Sequence, residues 1–136
     1  MADFVCDIVT PAAKLASEEV ELVVVPGVKG SMGFMRGHAP LVSVLADGVV
    51  RLKAEGTGEE KRYALQGGYV QVDGHKVIIL ADRAVLSTDI DVDAVKEQLE
   101  AVEAKIAELS TDELDKTTLR DEKAWCEVQL KVAEAA

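Results

Sequence analysis

PGVKGSMGFMRGHAPL, residues 26–41, holds four of the ten glycines and two of the three prolines, with Gly27, Gly30 and Gly33 three residues apart. Glycine is favoured where backbone takes positive φ or passes close to another segment, so the spacing predicts a tight, patterned turn and a rigid edge. A phosphate-cradling loop would need a helix opening directly behind it. Instead Gly37 leads into His38-Ala39-Pro40, and a proline pushes the residue before it toward an extended course. Lys29 is followed by Gly30, so no Gly-Lys-Ser/Thr is present.

On either side of this stretch the apolar residues recur with period two. Phe4, Cys6 and Ile8 alternate with Val5, Asp7 and Val9 before Pro11, and Val20, Leu22 and Val24 alternate with Glu21, Val23 and Val25 before Pro26. Further runs cover residues 41–45, 49–54, 61–65, 69–72 and 76–81, separated by Asp47-Gly48, Gly56-Thr57-Gly58, Gly67-Gly68 and Asp73-Gly74. Asp-Gly between alternating runs signals a hairpin whose central residues take positive φ. Short strands with turns every eight to twelve residues predict an antiparallel β-sandwich or flattened barrel over residues 1–88.

The period changes at Asp89. Val92, Val95, Leu99, Val102, Ile106 and Leu109 recur at three and four residues, which predicts an α-helix with one apolar stripe. Asp89 or Asp91 is its expected N-cap, and Ser110-Thr111-Asp112-Glu113 fits a capping box that opens a second helix. That helix carries Leu114, Thr118, Trp125, Val128 and Val132 on one face, expected to meet the first helix, and Leu119, Cys126 and Leu130 on another. Residues 89–136 therefore read as an antiparallel two-helix hairpin with a surplus apolar face, Leu119, Cys126 and Leu130, that must dock on the sandwich or on another protein.

Composition narrows the function. A chain of 136 residues has room for one compact domain or for a small domain with an appendage. No apolar run approaches the roughly 18 residues that span a bilayer, and residues 1–10 lack the basic start and apolar stretch of a signal peptide, so a soluble chain is expected. Cys6 and Cys126 stand far apart with no second pair, as free thiols of a reducing compartment do. The net charge of −10 is uneven: residues 1–88 carry eleven acids and nine bases, net −2, and residues 89–136 fourteen acids and six bases, net −8. Such a balance argues against nucleic acid and against anionic lipid as partners. Neither His38 nor His75 stands in metal-ligand spacing or beside a nucleophile motif, so no catalytic residues, cofactor or metal are expected.

Residues 26–41 resemble the signature of the epsilon subunit of F-type ATP synthases, in which a Pro-Gly turn, spaced glycines and Gly-His-Ala-Pro-Leu stand in this order. The likeness continues through Asp47-Gly48-Val49-Val50-Arg51, Gly67-Gly68-Tyr69-Val70 and Leu80-Ala81-Asp82-Arg83-Ala84. Ser31 stands where that family usually has an acid, and Arg36 where it usually has proline. The resemblance implies a non-catalytic rotor subunit that binds the gamma subunit and the c-ring and couples proton-driven rotation to ATP synthesis, peripheral to the cytoplasmic face of the (inner) membrane, without inserting into lipid. It also implies that Lys29, Ser31, Arg36 and His38 are the polar positions of a turn facing the c-ring, and that the hairpin can reach the alpha/beta catalytic hexamer and inhibit hydrolysis.

Some members of that family bind ATP through Ile/Leu-Asp-x-x-Arg-Ala. Here Ile90-Asp91-Val92-Asp93-Ala94-Val95 keeps the Asp but has Ala94 for the Arg, with a further acid where a phosphate would need a cation, so no ATP binding is expected. An ATP-sensing module and a cytosolic adaptor unrelated to the rotor are the alternatives. On the second helix Lys116, Arg120, Lys123 and Lys131 share one broad face with Asp112, Glu127 and Glu134, and the excess of acid predicts a weak brake or none.

Overall fold

The computed structural model describes residues 4–135. Seven strands, β1 (Val5–Val9), β2 (Lys14–Gly27), β3 (Gly30–Phe34), β4 (Leu41–Leu45), β5 (Gly48–Ala54), β6 (Glu60–Val72) and β7 (Lys76–Leu86), precede three helices, α1 (Val92–Glu108), α2 (Thr111–Leu114) and α3 (Leu119–Ala135). The strands form one folded-over β-sandwich, because three of them are long enough to belong to both layers. The first part of β6 pairs with β5 (Gly48↔Leu65 to Lys53↔Glu60) and the last part with β4 (Leu41↔Val72 to Leu45↔Gly68), while β7 follows β6 through both. In the same way β2 pairs early with β1 and later with β3 and β5. The inward positions, among them Ile8, Val23, Val25, Phe34, Leu52, Leu65, Val70, Val77 and Ile79, are fully buried between the layers. Their alternation with outward residues makes the strand register obligatory.

Several turns differ from what the sequence pattern suggested. Residues 26–41 are not one turn: Pro26 and Gly27 close β2, Val28 and Lys29 make the bend, and Gly30 to Phe34 return as β3, paired with Val23 to Gly27. Asp47-Gly48 is not a hairpin, since β4 pairs with β6 and β5 with β2 and β6. Gly48 has no positive φ, and what requires glycine there is packing: a Cβ would lie 2.8 Å from Cβ of Pro26. Asp73-Gly74 is a hairpin, but Gly74 has no positive φ either. The turn is held instead by the Asp73 carboxylate, which accepts the backbone N–H of His75 and of Lys76, each at 2.8 Å, and both bonds pull its pKa down.

Gly67-Gly68 does not interrupt its strand. Both glycines take positive φ, +59° and +121°, and β6 continues through them at the place where it passes from one layer to the other. A Cβ on Gly68 would stand 2.0 Å from the Leu80 carbonyl oxygen. The pair is a sharp bend with backbone against backbone.

In the helical segment, all six residues of the α1 stripe are buried or half-buried. Asp91 is the N-cap, its carboxylate accepting the N–H of Ala94 at 3.1 Å. Ser110 caps α2 by accepting the N–H of Glu113 at 3.2 Å, and its hydroxyl also meets the Glu113 carboxylate at 3.1 Å. The second helix is not continuous from there. Thr117 donates its hydroxyl to the Leu114 carbonyl at 2.8 Å and accepts the N–H of Leu119 at 3.3 Å. These local bonds compete with the helical ladder and end α2 after one turn. From Leu119, α3 packs along α1.

Replacing Gly68 with alanine is expected to lower stability by at least about 2 kcal/mol, since strain and a backbone clash act together. The matched change Gly33→Ala, whose new Cβ meets nothing closer than 3.6 Å, is expected to stay within about 0.5 kcal/mol. Urea unfolding of the two variants checks the difference, and equal costs would contradict the bend.

Candidate interaction surfaces

The outer face of the β4-β6-β7-β1 layer is apolar where a solvated sheet would be polar. Strand register sets Val44 beside Tyr69, Tyr69 beside Leu80, and Leu80 beside Val9, one residue from each of four neighbouring strands. At the strand spacing of a β-sheet this row is roughly 15 Å long. Val42 adds to it on β4, and Val42, Val44, Tyr69 and Leu80 are between 47% and 67% exposed. A contiguous apolar surface of this kind is a candidate interaction surface. The neighbouring row, Val42, Gln71, Ile78 and Asp7, ends in charge.

Asp7 is itself buried under two lysine side chains. Its Oδ2 lies 3.3 Å from Nζ of Lys14 and 3.0 Å from Nζ of Lys76. Burial drives its carboxyl pKa up, but hydrogen bonds from Ser17, Lys76 and Lys14 outweigh that and hold it below the usual carboxylate value. The adjoining Cys6 thiol is pushed up to about 12 by burial, then by the charges of Asp7 and Glu18, so it stays protonated and is no nucleophile. This corner ties β1 to β2 and β7 and bounds the apolar row without offering chemistry.

Lys29, Ser31, Arg36 and His38 stand at two ends of β3. Lys29 is at the tip of the β2-β3 bend and Ser31 just inside the strand, whereas Arg36 and His38 lie in the loop that leaves it. That loop is fixed. Gly37 donates its N–H to the Gly74 carbonyl at 2.9 Å, Nδ1 of His38 lies 2.6 Å from the Ala39 carbonyl, and the His38 ring meets Phe34 edge-on at 5.0 Å. All but His38, which is half-buried, are exposed, and so is Gly33 between them.

On the opposite side of the sandwich α3 leans over β2, β5 and β6. A cleft of about 450 Å³ lies between Val24, Pro26, Val49, Arg51 and Arg62 of the sandwich and Val128, Lys131 and Val132 of α3, with Ser31 at its margin. Val128 and Val132, assigned by helical spacing to the seam with α1, thus border the sandwich. The helix is buried over a broad arc and not along one stripe, Gln129 included. Cys126 is fully buried with Leu119 and Leu130 half-buried on the same side of α3. Burial and then Glu122 raise the Cys126 thiol pKa, with Arg83 of β7 acting against them. Gln66, next to the glycine bend, donates its amide N–H to the Asp121 carbonyl at 2.8 Å.

Ile90, Asp91, Ala94 and Val95 line neither this cleft nor the smaller pocket around Phe4, Val20, Met35 and Arg36. Asp91 is occupied as a helix cap, Ile90 donates its N–H to the Ser87 carbonyl at 3.3 Å, and Val95 is buried. Among the described residues no three His, Cys, Asp or Glu side chains are placed to hold a metal ion, and no helix is long and apolar enough to cross a membrane.

Comparison with known proteins agrees with this geometry. A family model described as "ATP synthase, Delta/Epsilon chain, beta-sandwich domain" matches residues 3–87. The ATP synthase epsilon chain of Carboxydothermus hydrogenoformans is 40% identical over 108 residues, 79% of either chain. That of Chromohalobacter salexigens is 37% identical over 131 residues, 96% of this chain and 92% of its own. In fold, the chain is similar to one from the mitochondrial ATP synthase of Euglena gracilis, solved as an assembly of OSCP, F1 and c-ring, with a TM-score of 0.69 at 24% identity over 98% of this chain and 79% of that one.

Proposed function

The chain belongs to the ATP synthase delta/epsilon family, as an epsilon chain and so a non-catalytic subunit, and from that premise we propose how it works in the rotor. It binds the gamma subunit through the apolar row of Val44, Tyr69 and Leu80, and it meets the c-ring through the β2-β3 bend and the loop after β3, with Lys29, Ser31, Arg36 and His38 as the polar contacts. It stays peripheral to the membrane on the cytoplasmic face and carries proton-driven rotation of the ring to the stalk. The observation that carries this reading is the apolar row itself, aligned across four strands and left open to solvent in the isolated chain. Burying the exposed remainder of four large side chains is worth on the order of a few kcal/mol, and Tyr69 near the centre has the character of an interface anchor. The rigid bend and loop suit a torque-bearing contact, since a short hairpin and a tethered loop deform less than a free tail.

The hairpin is proposed as a weak brake on ATP hydrolysis at most, in the position against the sandwich seen here. Of the three bases on α3, Arg120 is paired with Asp115 at 2.6 Å, whereas Lys131 borders the cleft beside Arg51 and Arg62. The remaining acidic excess repels an acidic partner. Leu119, Cys126 and Leu130 are the proposed docking face that keeps the arm down. Nucleotide sensing has less support, because Asp91 caps α1 and Ala94 supplies no cation.

Two measurements check these readings. Val44→Asp places a charge at the β4 end of the row at an exposed position, so folding is expected to be retained while affinity for purified gamma falls at least about tenfold, which is 1.4 kcal/mol. Unaltered affinity would move the gamma contact elsewhere. Truncation after Thr88 in the assembled enzyme is expected to change ATP hydrolysis less than about twofold, and a severalfold rise would place the brake in this hairpin.

A further inference from the structure

We infer that gamma engages the apolar row by adding an extended strand of its own along the open edge of β4. This rests on the proposed gamma contact and specifies its geometry. On one side, Leu41 to Leu45 pair with Val72 to Gly68 of β6 in five consecutive antiparallel pairs without a bulge. On the other side the sheet is tied only at the far end of the strand, by the pairing of Gly27 with Leu45 and the bond from Ala46 N–H to the Pro26 carbonyl at 2.8 Å. Residues 41–44 have no strand pairing on that side among the described residues. In an antiparallel ladder alternate residues turn N–H and C=O outward, so apart from the Val44 carbonyl, which accepts the Ser43 hydroxyl at 3.5 Å, this edge turns its outward donors and acceptors to solvent.

Natural edge strands are blunted by charge, proline within the strand, a bulge or a covering segment. The edge here is Leu-Val-Ser-Val-Leu, without a charge in a chain whose residues are 29% charged, and it has no internal proline. β1, which lies at the other end of the same layer, is covered by pairing on both sides, with β2 and with β7. An uncharged, regular edge left open beside an apolar face is a template for one more strand.

The same geometry states what that strand must be. Val42 and Val44 project to the exposed face, and a strand laid beside β4 at the normal spacing would extend the row of Val44, Tyr69, Leu80 and Val9 by one residue. The complementary segment is therefore extended, four or so residues long, with apolar side chains at alternate positions on that face. A helix laid across the row would cover the side chains and leave the edge amides in water. Edge-to-edge pairing of two copies of this chain is the competing arrangement, and it would give a dimer in the absence of gamma.

Backbone hydrogen exchange on the full chain, alone and with purified gamma, distinguishes these arrangements. The expected result is that the amides of residues 41–45 not bonded to β6 exchange freely in the isolated chain and slow at least about tenfold when gamma binds, with the slowing abolished in Val44→Asp. If gamma binds and Val44→Asp weakens it but those amides keep their free-chain rates, strand addition is wrong and the docking surface stands. Failure of gamma to bind, or binding insensitive to Val44→Asp, overturns both. Slow exchange at this edge in the chain alone, together with a dimer by sedimentation, overturns strand addition in favour of self-pairing.

Discussion

The Leu80 carbonyl oxygen lies where the Cβ of any residue other than glycine at position 68 would stand, and much of the molecule follows from that close approach. It lets β6 turn sharply while keeping its pairing with β7, so one strand joins β5 in one layer and β4 in the other. The bend also divides the strand by role. Before it, Gln66 reaches the first turn of α3. After it, Tyr69 stands at the centre of the exposed apolar row. A single backbone constraint thus sets the helical arm on one side of the sandwich and the apolar row on the other, and the buried core between them fixes their separation.

The arm is held by less than the sandwich is. Its contacts with the strands are the borders of a cleft, the side of α3 around Cys126, and one amide-to-carbonyl hydrogen bond, whereas the sandwich has a continuous core between two layers. A neutral hydrogen bond contributes about 1 kcal/mol net. Across the cleft, Lys131 comes toward Arg51 and Arg62, and the carboxylate of Glu60, 3.0 Å from Arg62 and 3.9 Å from Arg51, limits the repulsion.

The strands and helices were readable because each obeys its own period: buried residues alternate in β5 and β7, and the α1 stripe recurs at three and four. Asp91 and Ser110 were readable as caps because their side chains satisfy N–H groups a few residues away. What the pattern could not show depends on contacts distant in sequence. Gly48 and Gly68 are required by Pro26 and Leu80, which local spacing does not reveal, and β3 was hidden because Gly30 and Gly33 remove the alternating apolar signal. The reach of α3 onto the sandwich through Val128 and Val132 depended on the rotation of the helix, which stripe counting leaves open. The apolar row did leave a trace. Residues 77–81 are apolar without alternation, the mark of a strand covered on both faces, yet in this chain one of those faces is bare. The structure divides the polar positions of the family signature, residues 26–41, between two ends of a strand.

For the proposed role of this chain as a stiff connector between a stalk and a ring, the most direct measurement is the coupling of the assembled enzyme in sealed vesicles. Gly33 is suited to it, being exposed on β3 between the two groups of polar positions, with ordinary φ and room for a side chain. With Gly33→Trp, ATP hydrolysis is expected to stay within about twofold of the unaltered enzyme while protons pumped per ATP fall severalfold, because the obstruction lies at the ring contact and outside the catalytic sites. Proton pumping that remains proportional to hydrolysis would contradict the placement of β3 and its flanking turns against the ring.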